Sequence, residues 1–220
     1  PAIAKSWDVS DDGKTYTFKL NDKAVWTNGT PVTAKDYVYS WRRLADPATG
    51  SQYQFMVETA AFKGYKAVMA GEATPDTLGV TAVDDYTLKV ELEVPVPFFL
   101  SLMAFPNFYP LNEEFVTAQG ANYGTTVETT IFNGPYTLAN WQKGYGHDLV
   151  KNETYWDKDN VDIESVTFRI VKDTNAAINM YEADEIDRVG LTAEYVEKYK
   201  DDPNFVKIFD PAVYYLSMNQ

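Results

Sequence analysis

Short strand patterns alternate with short helical patterns along this chain, and each pattern ends at a turn signal. Residues 14–20 alternate apolar and polar side chains, which predicts a half-buried strand. A capping-box pattern at residues 33–36 predicts the start of a helix that ends at an Asp-Pro pair, residues 46–47. Residues 80–83 and 87–92 flank two aspartates, as the strands of a hairpin would. Elements this short and this mixed predict an α/β or α+β fold.

The same alternating and helical patterns predict the remaining strands and helices. An unbroken helical pattern runs through residues 58–70 and stops at Gly71. Thr192 is a candidate N-cap for a helix that ends before Pro203. A further helix is predicted at residues 175–181, and strands are predicted at 136–141, 148–151, 166–171, 205–209 and 213–218.

Four prolines mark a boundary between structural units. Pro95, Pro97, Pro106 and Pro110 punctuate the apolar segment 98–108, which fits a crossing between units better than the interior of one element. The domain boundary is therefore predicted near Pro110, with sheets on both sides. Because the last strand pattern has no turn after it and needs partners from elsewhere, we expect the chain to be a fragment.

Charge and composition exclude several classes of partner. The 19 basic and 32 acidic residues give a net charge of −13, and no segment gathers Lys or Arg into a patch. Nucleic acid and anionic membrane surfaces are therefore not expected partners. Cysteine is absent, which excludes disulfides and thiolate metal sites. Aromatic residues make up 15% of the chain, more than core filling usually needs, so some of them are expected to face a ligand.

The sequence contains no recognisable catalytic motif. His147 is the single histidine, it follows a predicted turn at residues 144–146, and no Gly-x-Ser-x-Gly elbow supplies a nucleophile. Residues 157–160 have oxygen ligands but lack the glycine and distal glutamate of a calcium loop. We therefore predict that the chain is not an enzyme and that it holds no metal and no cofactor. Paired acids at 11–12, 84–85, 113–114 and 201–202 are interpreted as solvated turn residues.

An ordered set of motifs is more specific than any single one of these patterns. It comprises residues 10–20, 26–36, 38–43, 133–136 and 152–156. In this order the motifs resemble the family 5 solute-binding proteins, in the oligopeptide-binding branch of bacterial ABC importers.

The resemblance implies a fold and a domain organisation. The implied fold is a mixed α/β, periplasmic-binding-protein-like type II architecture whose two lobes close around the ligand by hinge motion. Residues 1–110 would form the extra α+β domain characteristic of the family. Residues 111–220 would form part of the first α/β lobe and end at the strand that crosses to the second lobe. The N-terminal segment and the C-terminal lobe of such a protein would then be missing.

The resemblance also implies peptide-binding residues. We expect one wall of the cleft to include Asn133 and Gly134 of the Asn-Gly-Pro-Tyr motif, together with Tyr53, Gly190, Tyr214 and Tyr215. Backbone pairing would supply affinity without demanding a sequence. Other readings stay open, because Asn133-Gly134 is also a turn signal and Tyr53 also suits ordinary packing. Three tryptophans, Trp7, Trp26 and Trp41, are expected to anchor the core.

The implied function is the capture of oligopeptides for import, by a monomeric, extracytoplasmic protein that is either a cell-surface lipoprotein or periplasmic. Its partners would be the peptide and the transporter permease. Alternatives are another cargo, namely a dipeptide, a signalling peptide, nickel or haem. A carbohydrate-binding or carbohydrate-active protein is also considered, and such an enzyme would place two carboxylates in one cleft. Half a cleft is expected to bind peptide weakly or not at all.

Overall fold

The computed structural model describes residues 3–209 and residue 218. The chain divides into two compact units, Pro1–Phe168 and Arg169–Gln220. Pro110 lies inside the first unit, and the assignment of residues 1–110 and 111–220 to different domains stays a prediction. No helix in the described part of the chain has the length and apolar character needed to cross a membrane.

A four-stranded antiparallel sheet forms the base of the first unit. Its strands are β1 (Ala4–Val9), β2 (Thr15–Leu20), β3 (Val80–Asp84) and β4 (Thr87–Glu91), in the spatial order β1-β2-β4-β3. The strand predicted at residues 14–20 and the hairpin predicted around the two aspartates are both confirmed. On β2 the apolar side chains at alternate positions are buried. Strand β1 was not predicted from the sequence, because its side chains are largely exposed.

Helix α1 (Ala34–Ala45) covers this sheet and begins and ends where the sequence predicts. The Asp36 carboxylate accepts a hydrogen bond from the backbone N–H of the N-cap Thr33 at 2.7 Å, which is one half of the predicted capping box. Trp26 Nε1 donates to the same carboxylate at 3.4 Å. The helix is thereby joined at its start to the loop that precedes it.

The single helix predicted at residues 58–70 is wrong. The structure has two short helices instead, α2 (Phe55–Thr59) and α3 (Tyr65–Met69). Lys63 lies between them and pairs its backbone with the sheet, since its N–H donates to the carbonyl of Glu91 and its carbonyl accepts from Gly79, both at 2.8 Å. This pairing breaks the helix, because the same backbone groups cannot also make helical hydrogen bonds.

Aromatic side chains fill the space between α1 and the sheet. Trp41 is 2% exposed, and its ring centroid lies 5.2 Å from that of Phe62 and 6.0 Å from that of Phe108. Its Nε1 donates to the carbonyl oxygen of Phe108 at 2.9 Å. Trp26 is also buried, so the prediction that these two tryptophans anchor the core is confirmed.

The proline-rich segment runs back across α1. This segment, residues 95–110, contains α4 (Phe99–Leu102) and a 3₁₀ turn at Pro106–Phe108, and α5 (Glu113–Gln119) follows it. Ser40 Oγ on α1 donates to the carbonyl of Tyr109 at 2.6 Å, and Leu111 N–H donates to the carbonyl of Asp36 at 3.2 Å. The segment is thus fixed to α1 along its length.

A second sheet contains β5 (Tyr136–Gln142), β6 (Gly146–Lys151) and β7 (Ser165–Arg169), in that order. These three strands confirm the sequence prediction within two residues at each end. His147 lies in β6 and not in a turn. Its ring stacks on the ring of Phe168, with centroids 4.6 Å apart. The turn occupies the residues before it, at the positive-φ residue Gly144.

The second unit contains α6 (Thr174–Glu182) and α7 (Ala193–Tyr199), both predicted. Lys198 on α7 donates to the Glu182 carboxylate of α6 at 2.7 Å and ties the helices together. The strand predicted at residues 205–209 is wrong, because no described strand lies beside this segment and a single strand has nothing to pair with. The strand predicted at 213–218 lies outside the described residues, apart from its last position.

We predict that Trp41→Phe lowers the free energy of unfolding by about 2 kcal/mol or more, because it removes buried contacts and leaves the Phe108 carbonyl without a donor. Trp7→Phe is the matched control, since Trp7 is 41% exposed, and it should change stability by about 0.5 kcal/mol or less. Urea denaturation of the two variants measures the difference. Equal losses would contradict the central position of Trp41.

We also predict a pH-dependent difference between the wild type and Asp36→Asn. Burial raises the pKa of Asp36 above its usual value, although hydrogen bonds from Thr33 and Trp26 oppose that shift. The folded state therefore binds a proton more readily than the unfolded state. The stability of the wild type relative to the variant should rise as pH falls through the raised folded pKa, and level off below the unfolded value of 3.8.

Denaturation at a series of pH values gives this difference. Other carboxylates, such as Asp12 and Asp84, have lowered pKa values and lose their contribution in acid, but they do so in both proteins and cancel. A difference that falls on acidification would mean that hydrogen bonding outweighs burial at Asp36.

Candidate functional site

An apolar cavity of about 720 Å³ opens in the first unit. Its lining comes from β1, β2, α1, the proline-rich segment and the loop that leads into β5. Eleven lining residues are aromatic: Trp7, Phe18, Trp26, Tyr37, Trp41, Phe108, Tyr109, Tyr123, Phe132, Tyr136 and Tyr155. A cavity of this size and composition is typical of a small-molecule or side-chain binding site.

The described lining of this cavity contains no Asp, Glu, Lys, Arg or His. The side chains that most often act as general acids or bases, His, Asp and Glu, are thus absent from the described lining. The carbohydrate-active alternative needs two carboxylates in one cleft, and this lining does not supply them. Within residues 3–209 there is also no cluster of three or more potential metal-ligating His, Cys, Asp or Glu side chains. The arrangement suits binding of a largely apolar group.

The polar groups in the wall are mostly neutral donors. Burial raises the pKa of Tyr37, and the neighbouring Asp36 acts in the same direction. Burial likewise raises the pKa of Tyr123 and of Tyr155. These hydroxyls therefore stay protonated at neutral pH and can each donate a hydrogen bond.

Asn133 and Gly134 lie in the wall of this cavity. Asn152 holds this loop, because its Nδ2 donates to the carbonyl of Gly134 at 2.8 Å and its backbone N–H donates to the carbonyl of Pro135 at 2.9 Å. Two of the motifs in the sequence thus meet in space and shape one wall. The Nδ2 atom of Asn133 is buried and has no acceptor among the described residues.

Tyr53, the other predicted site residue described in the first unit, does not line this cavity. Tyr53 is 44% exposed, and its ring packs against Phe105 and Phe55 at centroid distances of 5.5 and 5.9 Å. Gly190 lines a separate cavity of about 890 Å³ within the second unit. Tyr214 and Tyr215 lie outside the described residues. The ligand contacts of all six predicted residues stay predictions.

Trp7 was expected in the core, and that expectation is wrong. It is 41% exposed and lines the cavity. Trp7 lies directly opposite Phe18 of β2, on β1, which is an edge strand among the strands that the structure describes. Recognising residues 4–9 as an edge strand is the sequence signal that would have predicted a partly exposed tryptophan.

Comparison with known proteins identifies the family. All of residues 1–220 match the family model described as "Bacterial extracellular solute-binding proteins, family 5 Middle". The dipeptide-binding protein DppE of Bacillus subtilis is 38% identical over 98% of this chain and 39% of its own length. The periplasmic oligopeptide-binding protein OppA of Salmonella typhimurium is 36% identical over the whole chain and 41% of its own length.

Solved structures agree with the sequence comparison. The substrate-binding domain of an oligopeptide ABC transporter from Bacillus anthracis superposes with a TM-score of 0.88 at 47% identity, covering 92% of this chain and 39% of that one. Listeria monocytogenes OppA bound to peptide gives a TM-score of 0.87 at 42% identity, covering 93% and 40%.

The predicted mixed α/β fold of the family is confirmed by these superpositions. The chain spans about two fifths of the length of the relatives it matches. It belongs to the bacterial extracellular solute-binding proteins of family 5.

Proposed function

We propose that this chain forms one wall of the binding cleft in an extracytoplasmic protein that captures oligopeptides for an ABC importer. The observation that carries this proposal is the uncharged aromatic cavity, with the Asn133-Gly134 loop in its wall. Aromatic faces accept many side chains because they bury a large area without requiring a specific polar partner. A receptor for peptides of varied sequence needs a surface of this kind.

The relatives support the cargo. The Salmonella relative is an oligopeptide-binding protein, and the Listeria structure holds a peptide. The Bacillus subtilis relative is a dipeptide-binding protein, so peptide length is the main variable to be tested. The transporter permease is the second partner in this proposal, and the protein acts as a monomer that is either anchored to the cell surface as a lipoprotein or free in the periplasm.

The remaining predicted residues complete the proposed wall. Tyr53, Gly190, Tyr214 and Tyr215 would contact the peptide, and residues 1–110 and 111–220 would belong to the extra domain and the first lobe. A cleft of two walls encloses a ligand far better than one wall does, because each wall removes part of the ligand surface from water. This chain should therefore depend on an opposing lobe for tight binding.

We predict that two proteins differ in isothermal titration with a mixed pool of short peptides. A protein of the relatives' full length that carries these 220 residues should release binding heat, whereas the 220-residue chain should bind weakly or not at all. Submicromolar binding by the short chain would contradict the need for an opposing lobe. Heat from neither protein would contradict the peptide cargo.

We also predict that the aromatic side chains of the cavity wall contribute to peptide binding. In the full-length protein, Trp7→Ala should weaken peptide binding by about tenfold, because the ligand loses an aromatic face. Trp141→Ala is the matched control, since Trp141 is 40% exposed but does not line the cavity, and it should change affinity by about twofold or less. Equal effects in titration would show that the cavity is not the peptide site.

A further inference from the structure

A second concave surface of the first unit lies along one side of α1. This groove has a volume of about 500 Å³, and none of its lining residues belongs to the aromatic cavity. Its polar side chains come mainly from α1 and the residue that follows it. They are Lys35, Tyr39, Arg42, Arg43, Asp46 and, from α5, Glu113.

Arg42 is held in this groove with one donor unused. Its Nη2 donates to the carbonyl oxygen of Asp76 at 2.9 Å, which fixes the guanidinium in place. Its Nε is buried and has no acceptor among the described residues. In that part of the chain, only two other buried side-chain nitrogen or oxygen atoms lack a hydrogen-bond partner. A buried N–H without an acceptor is costly, so an oxygen supplied from outside the chain would stabilise this arrangement.

Neither Arg42 nor Arg43 lies within ion-pair distance of a carboxylate among the described residues, although the charge of Arg42 contributes to the lowered pKa of Asp76. None of the ion pairs in the described part of the chain includes them. Lys35 differs, since its Nζ lies 3.1 Å from Asp85. In a chain with 32 acidic residues and 19 basic ones, two adjacent arginines without an acidic partner are a local departure from the overall charge.

The groove also contains two carboxylates that limit its positive charge. Asp46 Oδ1 is occupied, because it accepts a hydrogen bond from the backbone N–H of Ala48 at 2.9 Å. Glu113 makes no ion pair within the described residues. Both carboxylates repel anions, so the groove suits only a small anion that contacts the two arginines directly, and not an extended acidic surface.

We propose that this groove binds a small phosphate-class oxyanion, with Arg42 and Arg43 as its donors. Guanidinium groups present several N–H donors in a planar fork that matches the oxygens of such an anion. The net charge of −13 opposes the approach of every anion, and it opposes an extended anionic bilayer more strongly than a small ion, so the proposed ligand is a free anion and not a lipid headgroup. The site is independent of the proposed peptide cleft.

The test is an NMR titration of the 220-residue chain with inorganic phosphate at low ionic strength. The Nε–Hε signal of Arg42 should shift and saturate, and chloride at matched ionic strength should not shift it. Arg43→Gln should weaken phosphate binding by about tenfold, because a charge-assisted hydrogen bond is lost. Arg43 is exposed, so Arg43→Gln is expected to fold even if replacing the partly buried Arg42 by Gln prevents folding.

Lys143→Gln is the matched control, because it removes the same charge from an exposed site outside the groove. It should change the affinity for phosphate by about twofold or less. An unsaturable shift, or equal weakening by Lys143→Gln and Arg43→Gln, would overturn the proposal. Binding to phosphatidylglycerol vesicles without binding to phosphate would overturn it as well.

Discussion

The burial of Trp41 is the constraint on which the first unit depends. One side chain satisfies two requirements, because its ring packs against Phe62 and Phe108 while its Nε1 donates to a backbone carbonyl in the proline-rich segment. That carbonyl belongs to a segment with little regular structure of its own, which would otherwise lack partners. The same segment contributes residues to the aromatic cavity. The position of the cavity wall therefore follows from the packing of one core residue.

Most of the fold was predictable from local signals, and the failures have a common cause. The β2 alternation, the α1 capping box and the β3–β4 hairpin were all predicted, because residues close in the sequence decide them. The helix predicted over residues 58–70 failed because Lys63 pairs with Glu91, a residue far along the chain. The strand predicted at 205–209 failed for the complementary reason, since a strand exists only beside a neighbour. Periodicity predicts local structure, but it does not identify which partner supplies the hydrogen bonds.

The candidate site was less predictable than the fold. Asn133 and Gly134 were predicted as ligand contacts from the family resemblance, and the structure describes them in a cavity wall that Asn152 holds, a contact that the sequence did not predict. Trp7 was assigned to the core on the general preference of tryptophan for burial, whereas an edge strand leaves it half open. The groove that contains Arg42 and Arg43 was not predicted from any pattern in the sequence. Two adjacent arginines in a helix are ordinary, and these two are distinguished by making no ion pair in the described part of the chain.

The connection between the loop after β2 and the loop before β5 has a consequence for the order of folding. Phe132 and Thr27 exchange two hydrogen bonds, at 2.8 and 3.1 Å, although 105 positions separate them in the chain. Contacts over such a separation form late, because the intervening chain must lose much of its freedom before any interaction compensates. Helix α1 and the β3–β4 hairpin depend on local contacts and are therefore expected to form before this connection. The loop that carries Asn133 would reach its place only after them, so an immature chain would possess local structure before it possesses a binding site.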